Sequence, residues 1–135
     1  MATKIFVNLP VKDLNRSVQF FTSLGYTFNP NFTDENATCR IVSEDIYVML
    51  LVENYFKTFT NKEIPDTSKT SEVTICLSAD SRADVEAAVK KALDAGATTV
   101  KEPQEYPFMY GHGFQDLDGH IWEIMWMDPA SMPQE

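Results

Sequence analysis

The same order of predicted elements occurs twice along this chain of 135 residues. Each half opens with a strand, at Lys4–Val11 and at Val73–Ala79, and each strand leads into an amphipathic helix that ends at a glycine, Gly25 or Gly96. Further short strands follow in each half. Equivalent positions lie about 70 residues apart, which is the signature of a duplicated unit. The sequence therefore predicts two β-α-β-β-β repeats and an α+β fold class.

Local start and stop signals set the bounds of these elements. Asp13 and Ser81 are placed to cap the two helices. A polar stretch at about 60–72, which contains Pro65, separates repeat one, at about 3–53, from repeat two, at about 73–128. A single domain over residues 1–135 is expected. The remaining predicted elements are helices at Leu14–Leu24 and Glu53–Thr58 and strands at Tyr26–Phe28, Thr38–Val42, Ile46–Val52, Thr98–Val100, Tyr110–Gln115 and His120–Met127.

The last predicted strand carries a carboxylate that needs an explanation. Strand alternation divides it into a core face and an opposite face, with Trp122, Ile124 and Trp126 on the first and Ile121, Glu123, Met125 and Met127 on the second. A carboxylate among apolar side chains costs on the order of several kcal/mol unless a donor or a cation pairs with it. Glu123, the only buried-looking carboxylate, is therefore either functional or satisfied by a donor such as Asn8, Thr74 or Tyr47.

Charge and composition exclude several classes of function. The net charge of -9 argues against binding to nucleic acid or to an anionic membrane surface, and it is compatible with a cationic ligand. No apolar run is long enough to cross a bilayer and the chain lacks a signal-peptide pattern, so a cytoplasmic location is expected. Cys39 and Cys76 lie in apolar segments without metal-ligand or redox spacing, and both are predicted to be small core residues.

Two motifs connect the predicted elements with a known fold. They are VKDLNRSVQFF, followed closely by Leu24-Gly25-Tyr26, and DLDGHIWEI, which contains Glu123. Together with the repeat, these motifs resemble the vicinal oxygen chelate superfamily, which includes glyoxalase I, bleomycin-resistance proteins, extradiol dioxygenases and fosfomycin-resistance enzymes. The resemblance covers nearly the whole chain and implies two βαβββ repeats that form a curled mixed-sheet cup with the helices outside. It implies no particular reaction, because one fold hosts many functions.

The resemblance also implies where a metal ion would be held. In such families the ligands come from positions that match Phe6, Met49, Thr74 and Glu123, and only Glu123 has a suitable side chain. Phe, Met and Thr do not replace His, Gln or Glu around a hard or borderline divalent ion. No metal and no other cofactor is therefore expected.

The cup should instead form a mostly apolar cavity with few polar groups, as is typical of a small-molecule pocket. Glu123 is the candidate catalytic residue. The candidate ligand-binding residues are Phe6, Asn8, Tyr47, Met49, Thr74, Cys76, Tyr110, His112 and Met125.

These observations favour a metal-free small-molecule binding protein of the bleomycin-resistance type. One alternative is a glyoxalase-like lyase or isomerase that uses Glu123 as a base, or a nonstandard metal site of His112, Glu123 and Glu102, for which no recognised ligand spacing exists. Another is a protein-interaction unit without a small ligand. A homodimer is expected because the segments Phe56–Phe59 and Tyr106–Tyr110 leave apolar surface to cover and because cups of the superfamily are often completed across subunits.

Overall fold

The computed structural model describes residues 3–130. The chain forms two compact units, Met1–Pro65 and Asp66–Glu135. Each unit contains one open mixed sheet together with helices, so the predicted α+β class is confirmed. The prediction of a single domain over the whole chain stays a prediction. None of the helices within residues 3–130 is long and apolar enough to cross a membrane.

The first unit follows the predicted order of elements. Its sheet has the strand order β1-β4-β3-β2, with β1 parallel to β4 and β3 antiparallel to both of its neighbours. The Asp13 carboxylate caps the first helix by accepting a hydrogen bond from the Arg16 amide, and Gly25, with φ of 98°, follows its end. The elements are β1 (Ile5–Val11), α1 (Leu14–Ser23), β2 (Thr27–Asn29), a 3-10 turn (Pro30–Phe32), β3 (Ala37–Ile41), β4 (Ile46–Val52) and α2 (Glu53–Phe56).

The second unit repeats this order with one additional short strand. Its sheet has the strand order β5-β9-β8-β6, and β7 also pairs with β8. The Ser81 hydroxyl caps the helix by accepting from the Asp84 amide, as the sequence predicted. The sequence missed β7 because its polar residues Gln104 and Glu105 directly follow Pro103, a pattern typical of a loop. The elements are β5 (Thr74–Ser78), α3 (Arg82–Asp94), β6 (Thr98–Thr99), β7 (Gln104–Tyr106), β8 (Met109–Gln115) and β9 (Ile121–Met127).

Strand register supports the equivalence of the two units. In the first unit Asn8 of β1 lies opposite Met49 of β4, and in the second Cys76 of β5 lies opposite Glu123 of β9. Both are parallel pairs between the first and the last strand of a unit. Met49 and Glu123 therefore occupy corresponding places in two copies of the same arrangement.

In each unit one helix, α1 or α3, packs on one face of the sheet. In the first unit Phe20 and Phe21 of α1 are buried, as are Leu9 and Leu50 of the sheet. In the second unit Val85, Val89 and Ala92 of α3 are buried together with Phe114, Trp122 and Ile124 of β8 and β9. Burying a large apolar side chain contributes about 1.5–3 kcal/mol, so these faces supply most of the driving force for folding.

The two cysteines differ in their surroundings. Cys39 on β3 is buried, as predicted. Cys76 is exposed, and the prediction that it is a core residue is wrong. Alternation along β5 places Cys76 with Thr74 and Ser78 on the exposed face of the sheet, and only Ile75 and Leu77 between them are partly covered.

The predicted linker does not separate the units along its whole length. Its second part, from Asp66 onward, belongs to the second unit. There the Thr67 hydroxyl donates a hydrogen bond to the Asp118 carbonyl in the turn before β9. Gly119 in the same turn has φ of 85°, and a Cβ at this position would lie 2.5 Å from the Thr67 hydroxyl oxygen. The linker thus packs on the turn that leads into the Glu123 strand.

A carboxylate more deeply buried than Glu123 holds this turn. Asp116 is only 7% exposed, which corrects the prediction that Glu123 is the only buried carboxylate. Its side chain accepts hydrogen bonds from the indole of Trp122 at 2.8 Å and from the amides of Asp118 and His120 at 2.9 and 3.0 Å. Burial raises the pKa of Asp116, while the charge of His120 and these hydrogen bonds oppose the increase. Asp116 therefore fixes the place where β9 begins.

The variant Asp116→Asn should destabilise the protein. The Asn oxygen can still accept from the turn amides, but its NH2 group faces the Trp122 indole N–H, so that two donors meet without an acceptor. We expect a loss of about 1–3 kcal/mol in the free energy of unfolding, measured by urea denaturation. Asp94→Asn is the control, because Asp94 forms an exposed ion pair with Lys90 that should contribute little. Equal effects of the two substitutions would contradict the assignment.

Candidate functional site

The candidate site of the second unit lies on the sheet face opposite α3. Glu123 on β9 has Cys76 of β5 as its partner on one side and Gly113 of β8 on the other. Cross-strand partners share a face of the sheet, so a thiol and a glycine flank the carboxylate. Thr74 of β5 and Met125 of β9 lie on the same face by alternation.

Two glycines make room beside this carboxylate. Gly111 lies opposite Met125 and Gly113 lies opposite Glu123, so β8 contributes no side chain to this part of the face. The resulting groove has a volume of about 60 Å³ and is lined by residues of β5, β8 and β9 and by the loop between β6 and β7. A Cβ at Gly113 would lie 2.7 Å from the Trp122 carbonyl oxygen, so only glycine fits there.

The polar groups of the groove leave Glu123 available to a ligand. Glu123 is partly buried, and no side chain within residues 3–130 donates a hydrogen bond to its carboxylate. The hydroxyl of Tyr47, one of the donors that the sequence suggested, instead donates to the Glu44 carbonyl at 2.6 Å. Desolvation and the nearby Glu123 carboxylate raise the pKa of Cys76. The thiol therefore stays protonated and is a weak nucleophile at neutral pH.

The structure does not bring Tyr110 to the Glu123 face. The Tyr110 ring is buried, and the Arg82 guanidinium of α3 lies 4.3 Å from its centroid, so the ring belongs to the helix side of the sheet. Tyr110 lies opposite Trp126, whose parity also differs from that of Glu123. This corrects the grouping of Tyr110 with Glu123.

His112 borders the groove, but its imidazole has a different partner. Its cross-strand partner is Ile124, on the opposite face from Glu123, and its Nε2 lies 3.1 Å from the Lys101 carbonyl oxygen. A carbonyl can only accept, so this nitrogen carries the proton. His112 thus ties β8 to the loop between β6 and β7.

The corresponding face of the first unit carries the other predicted residues. The Phe6 ring stacks on Tyr47, with centroids 5.0 Å apart and planes inclined by 14°. Phe6, Asn8 and Met49 line a cleft of about 460 Å³. Sequence analysis did not assign the remaining aromatic and acidic residues to this cleft, because they lie outside the strands whose alternation it used. These residues are Phe32, Asp34, Tyr55 in α2, and Phe59, which the sequence placed in a possible dimer surface. It also missed Gly111 and Gly113, which their spacing of two residues on a strand would have revealed.

The fold and these two faces can be compared with known proteins. Residues 3–43 match the family model described as bleomycin resistance protein-like N-terminal. The hypothetical protein SA1046 of S. aureus is 29% identical, with 93% of this chain and 95% of that chain covered and a TM-score of 0.78. No curated protein sequence matches the chain.

More distant structures share the same fold. A glyoxalase/bleomycin resistance protein/dioxygenase family enzyme of Burkholderia phytofirmans PsJN is 17% identical, with 93% and 99% of the two chains covered and a TM-score of 0.79. TnmS3, an antibiotic binding protein of Streptomyces sp. CB03234, is 16% identical, with 95% and 98% covered and a TM-score of 0.67. The chain has the fold of the vicinal oxygen chelate superfamily. The resemblance that the two motifs suggested is thus confirmed.

The metal that many members of the superfamily bind does not fit the residues of this chain. The four implied ligand positions hold Phe6, Met49, Thr74 and Glu123, which together offer one carboxylate and no imidazole. A single carboxylate does not hold a divalent ion by itself. Within residues 3–130, moreover, no three His, Cys, Asp or Glu side chains come together as a ligand set. Metal-dependent chemistry of the glyoxalase type therefore has no basis at these positions.

The two glycines of β8 should respond differently to substitution. Gly113→Ala places a methyl group against the backbone of β9, and we expect a loss of about 1–3 kcal/mol in the free energy of unfolding from the forced shift. Gly111→Ala meets its nearest atom at an ordinary 3.5 Å and should change this free energy by less than about 0.5 kcal/mol. Urea denaturation of both variants measures the difference. If both are tolerated equally, β8 and β9 do not approach as closely as described.

Proposed function

We propose that this protein binds a small organic molecule without a metal ion, and that Glu123 recognises a cationic or hydrogen-bond-donating group of that molecule. The observation that carries the proposal is the Glu123 carboxylate, to which no described side chain donates, in a mostly apolar groove that Lys101, Glu102, Gln104 and His112 also border. Loss of solvent around a carboxylate is unfavourable unless a donor replaces the water. A ligand with an ammonium or amide group would supply this donor through a charge-assisted hydrogen bond.

The size of the groove limits what enters it. About 60 Å³ holds a substituent rather than a whole drug-sized molecule. We therefore propose that the body of this ligand lies over Thr74, Cys76 and Met125 on the same sheet face of the second unit. Phe6, Asn8, Tyr47 and Met49 stay proposed ligand contacts of the first unit, considered by itself.

Relatives support binding as the activity, although they share only the fold at their level of identity. TnmS3 is described as an antibiotic binding protein, and the N-terminal family model is named after bleomycin resistance. The side chains at the four implied metal positions also favour binding over catalysis. Binding a small molecule requires no metal ion, whereas the metal-dependent reactions of the superfamily require one.

A second candidate is a metal-independent lyase or isomerase in which Glu123 acts as a general base. The same observation favours it, because a carboxylate that no side chain engages is free to accept a proton from a substrate. The Burkholderia relative is described as an enzyme. A nonstandard metal site with His112 and Glu102 receives no such support, because the His112 Nε2 lies at the Lys101 carbonyl.

The variant Glu123→Gln tests whether Glu123 acts on a ligand or substrate or only stabilises the fold. The substitution keeps the shape of the side chain and removes its charge, so we expect a folded protein that has lost its preference for cations. Benzylamine and benzyl alcohol form a matched pair of probes, and calorimetry should show the amine preferred by the wild type. In the variant the amine should bind about 10- to 150-fold more weakly, which corresponds to about 1.5–3 kcal/mol for a charge-assisted bond.

The controls are Glu63→Gln, which removes an equal charge from an exposed position, and treatment of all proteins with a chelator. If Glu123→Gln binds the amine as the wild type does but melts several degrees lower, Glu123 belongs to the fold and the proposal fails. If elemental analysis finds about one metal ion per chain that Glu123→Gln removes, the metal-enzyme alternative gains support.

We also propose that the protein is a homodimer. Val100 and Tyr106 of the second unit are large apolar side chains that remain 43% and 51% exposed, and the Tyr106 ring stacks near that of Phe108. Association would cover such surface. Light scattering should give twice the mass of the chain at micromolar concentrations, and Tyr106→Ser should shift this value toward the monomer. A monomeric wild type at high concentration would refute the dimer.

A further inference from the structure

The cleft of the first unit, which is larger than the Glu123 groove, has walls of aromatic side chains. Phe6 and Met49 of the sheet line its base, Phe32 comes from the 3-10 turn after β2, and Tyr55 and Phe59 come from the segment that begins with α2. The volume of about 460 Å³ is in the range of small-molecule sites. This cleft belongs to the first unit alone and does not include Glu123.

The aromatic residues of the cleft are exposed to an unusual degree. Phe6, Phe32 and Phe59 are 52%, 59% and 54% exposed, and Tyr55 is 38% exposed. A single exposed apolar side chain needs no explanation, but four that line one concave surface mark a binding site. Their flat rings suit a flat partner, because offset stacking and edge-to-face contacts are the favoured geometries of aromatic pairs.

The wall formed by the connection from β2 to β3 is held in place before any ligand arrives. The Asn29 side chain accepts from the Asn31 amide at 2.9 Å, and the Thr33 hydroxyl donates to the Asn29 carbonyl at 2.7 Å. The Asp34 Oδ1 accepts from the amides of Asn36 and Ala37 at 2.8 and 3.0 Å. A wall fixed in this way loses little conformational entropy when a ligand binds.

The opposite wall is similarly fixed. The Lys57 amide donates to the Glu53 carbonyl at 3.0 Å, and the Phe59 amide donates to the Phe56 carbonyl at 2.9 Å. The Tyr55 and Phe59 rings meet edge to face, with centroids 5.2 Å apart. Both walls therefore present their aromatic faces in a defined geometry.

The charge of the cleft selects among flat molecules. Asp34 is the only charged residue among the described residues that line it. The hydrogen bonds to the Asp34 side chain go to Oδ1, which leaves Oδ2 as an acceptor. Aromatic faces also attract cations through their quadrupoles, and the chain as a whole has a net charge of -9. We infer that the cleft is a binding site for a planar aromatic molecule that carries a positive charge.

This inference rests on the proposed function, small-molecule binding, and names a class of ligand, but it is argued from the cleft of the first unit and does not use Glu123. Proflavine, a planar cation, and acridone, an uncharged planar molecule, are matched probes that fluorescence titration and calorimetry can follow. Wild-type protein should bind proflavine saturably with one molecule per chain and more tightly than acridone. Phe59→Leu keeps an apolar side chain but removes the flat face, so it should weaken both probes at least 5-fold.

Asp34→Asn tests the charge alone. The Asn oxygen can still accept from the amides of Asn36 and Ala37, so the turn should remain intact, and circular dichroism with thermal melting checks this. This variant should weaken proflavine at least 3-fold and leave acridone unchanged, while Glu63→Gln should leave both probes unchanged. Light scattering of Phe59→Leu shows whether Phe59 instead covers a second copy of the chain.

The inference is overturned if the wild type binds neither probe, if both variants bind the two probes as the wild type does, or if Phe59→Leu only changes the oligomeric state. The proposed function is tested separately by Glu123→Gln and the benzylamine pair. If the protein prefers the amine through Glu123 but does not bind proflavine, the proposed function stands and this inference is refuted. If it binds proflavine in the cleft but shows no amine preference through Glu123, this inference stands and the role proposed for Glu123 is refuted.

Discussion

The hydrogen bonds to the buried Asp116 carboxylate are the interaction on which the candidate site depends most. They join the turn amides of Asp118 and His120 to the indole of Trp122. The turn thereby fixes the first residue of β9, and a strand that starts one residue earlier or later turns every side chain to the opposite face. Glu123 would then face the helix α3 and Trp122 would face solvent. A polar network that looks local in the DLDGHIWE segment thus determines which side chain the open face presents.

The two units show how one backbone arrangement can carry different chemistry. Asn8 and Met49 in the first unit correspond by register to Cys76 and Glu123 in the second. In the first unit exposed aromatic rings surround Asn8 and Met49 and form the larger cleft. In the second unit Gly111 and Gly113 carry no side chains beside Glu123, and a narrow groove forms there. In both units the face under the helix is an apolar core that supplies most of the stability. The chemical differences between the units therefore lie on the opposite faces.

Sequence patterns predicted the regular elements well and the site only in part. The caps Asp13 and Ser81 and the alternation of β9 are local signals, so they could be read without a structure. The exposure of Cys76 also has a local signal, the alternation of Thr74, Cys76 and Ser78 with Ile75 and Leu77, and the prediction of a core residue failed because it followed residue type instead. Tyr110 was misplaced because a residue next to glycines in an aromatic segment resembles a lid. Its register opposite Trp126 and the position of Arg82 above its ring show that it packs under α3.

The apolar residues at the implied metal positions have a consequence beyond the loss of a metal. Phe6 and Met49 replace ligands that would need charge or imidazole, and the face they occupy becomes a surface that favours flat apolar contacts. A metal ion attracts ligands through oxygen or nitrogen donors, whereas the proposed ligand would be selected by shape and by carboxylates, Glu123 in one unit and Asp34 in the other. The net charge of -9 disfavours the approach of anions to the chain, although Lys101 borders the Glu123 groove together with Glu102. The acidic composition and the apolar side chains of Phe6 and Met49 therefore agree with the proposed class of ligand, an apolar molecule with a positive charge.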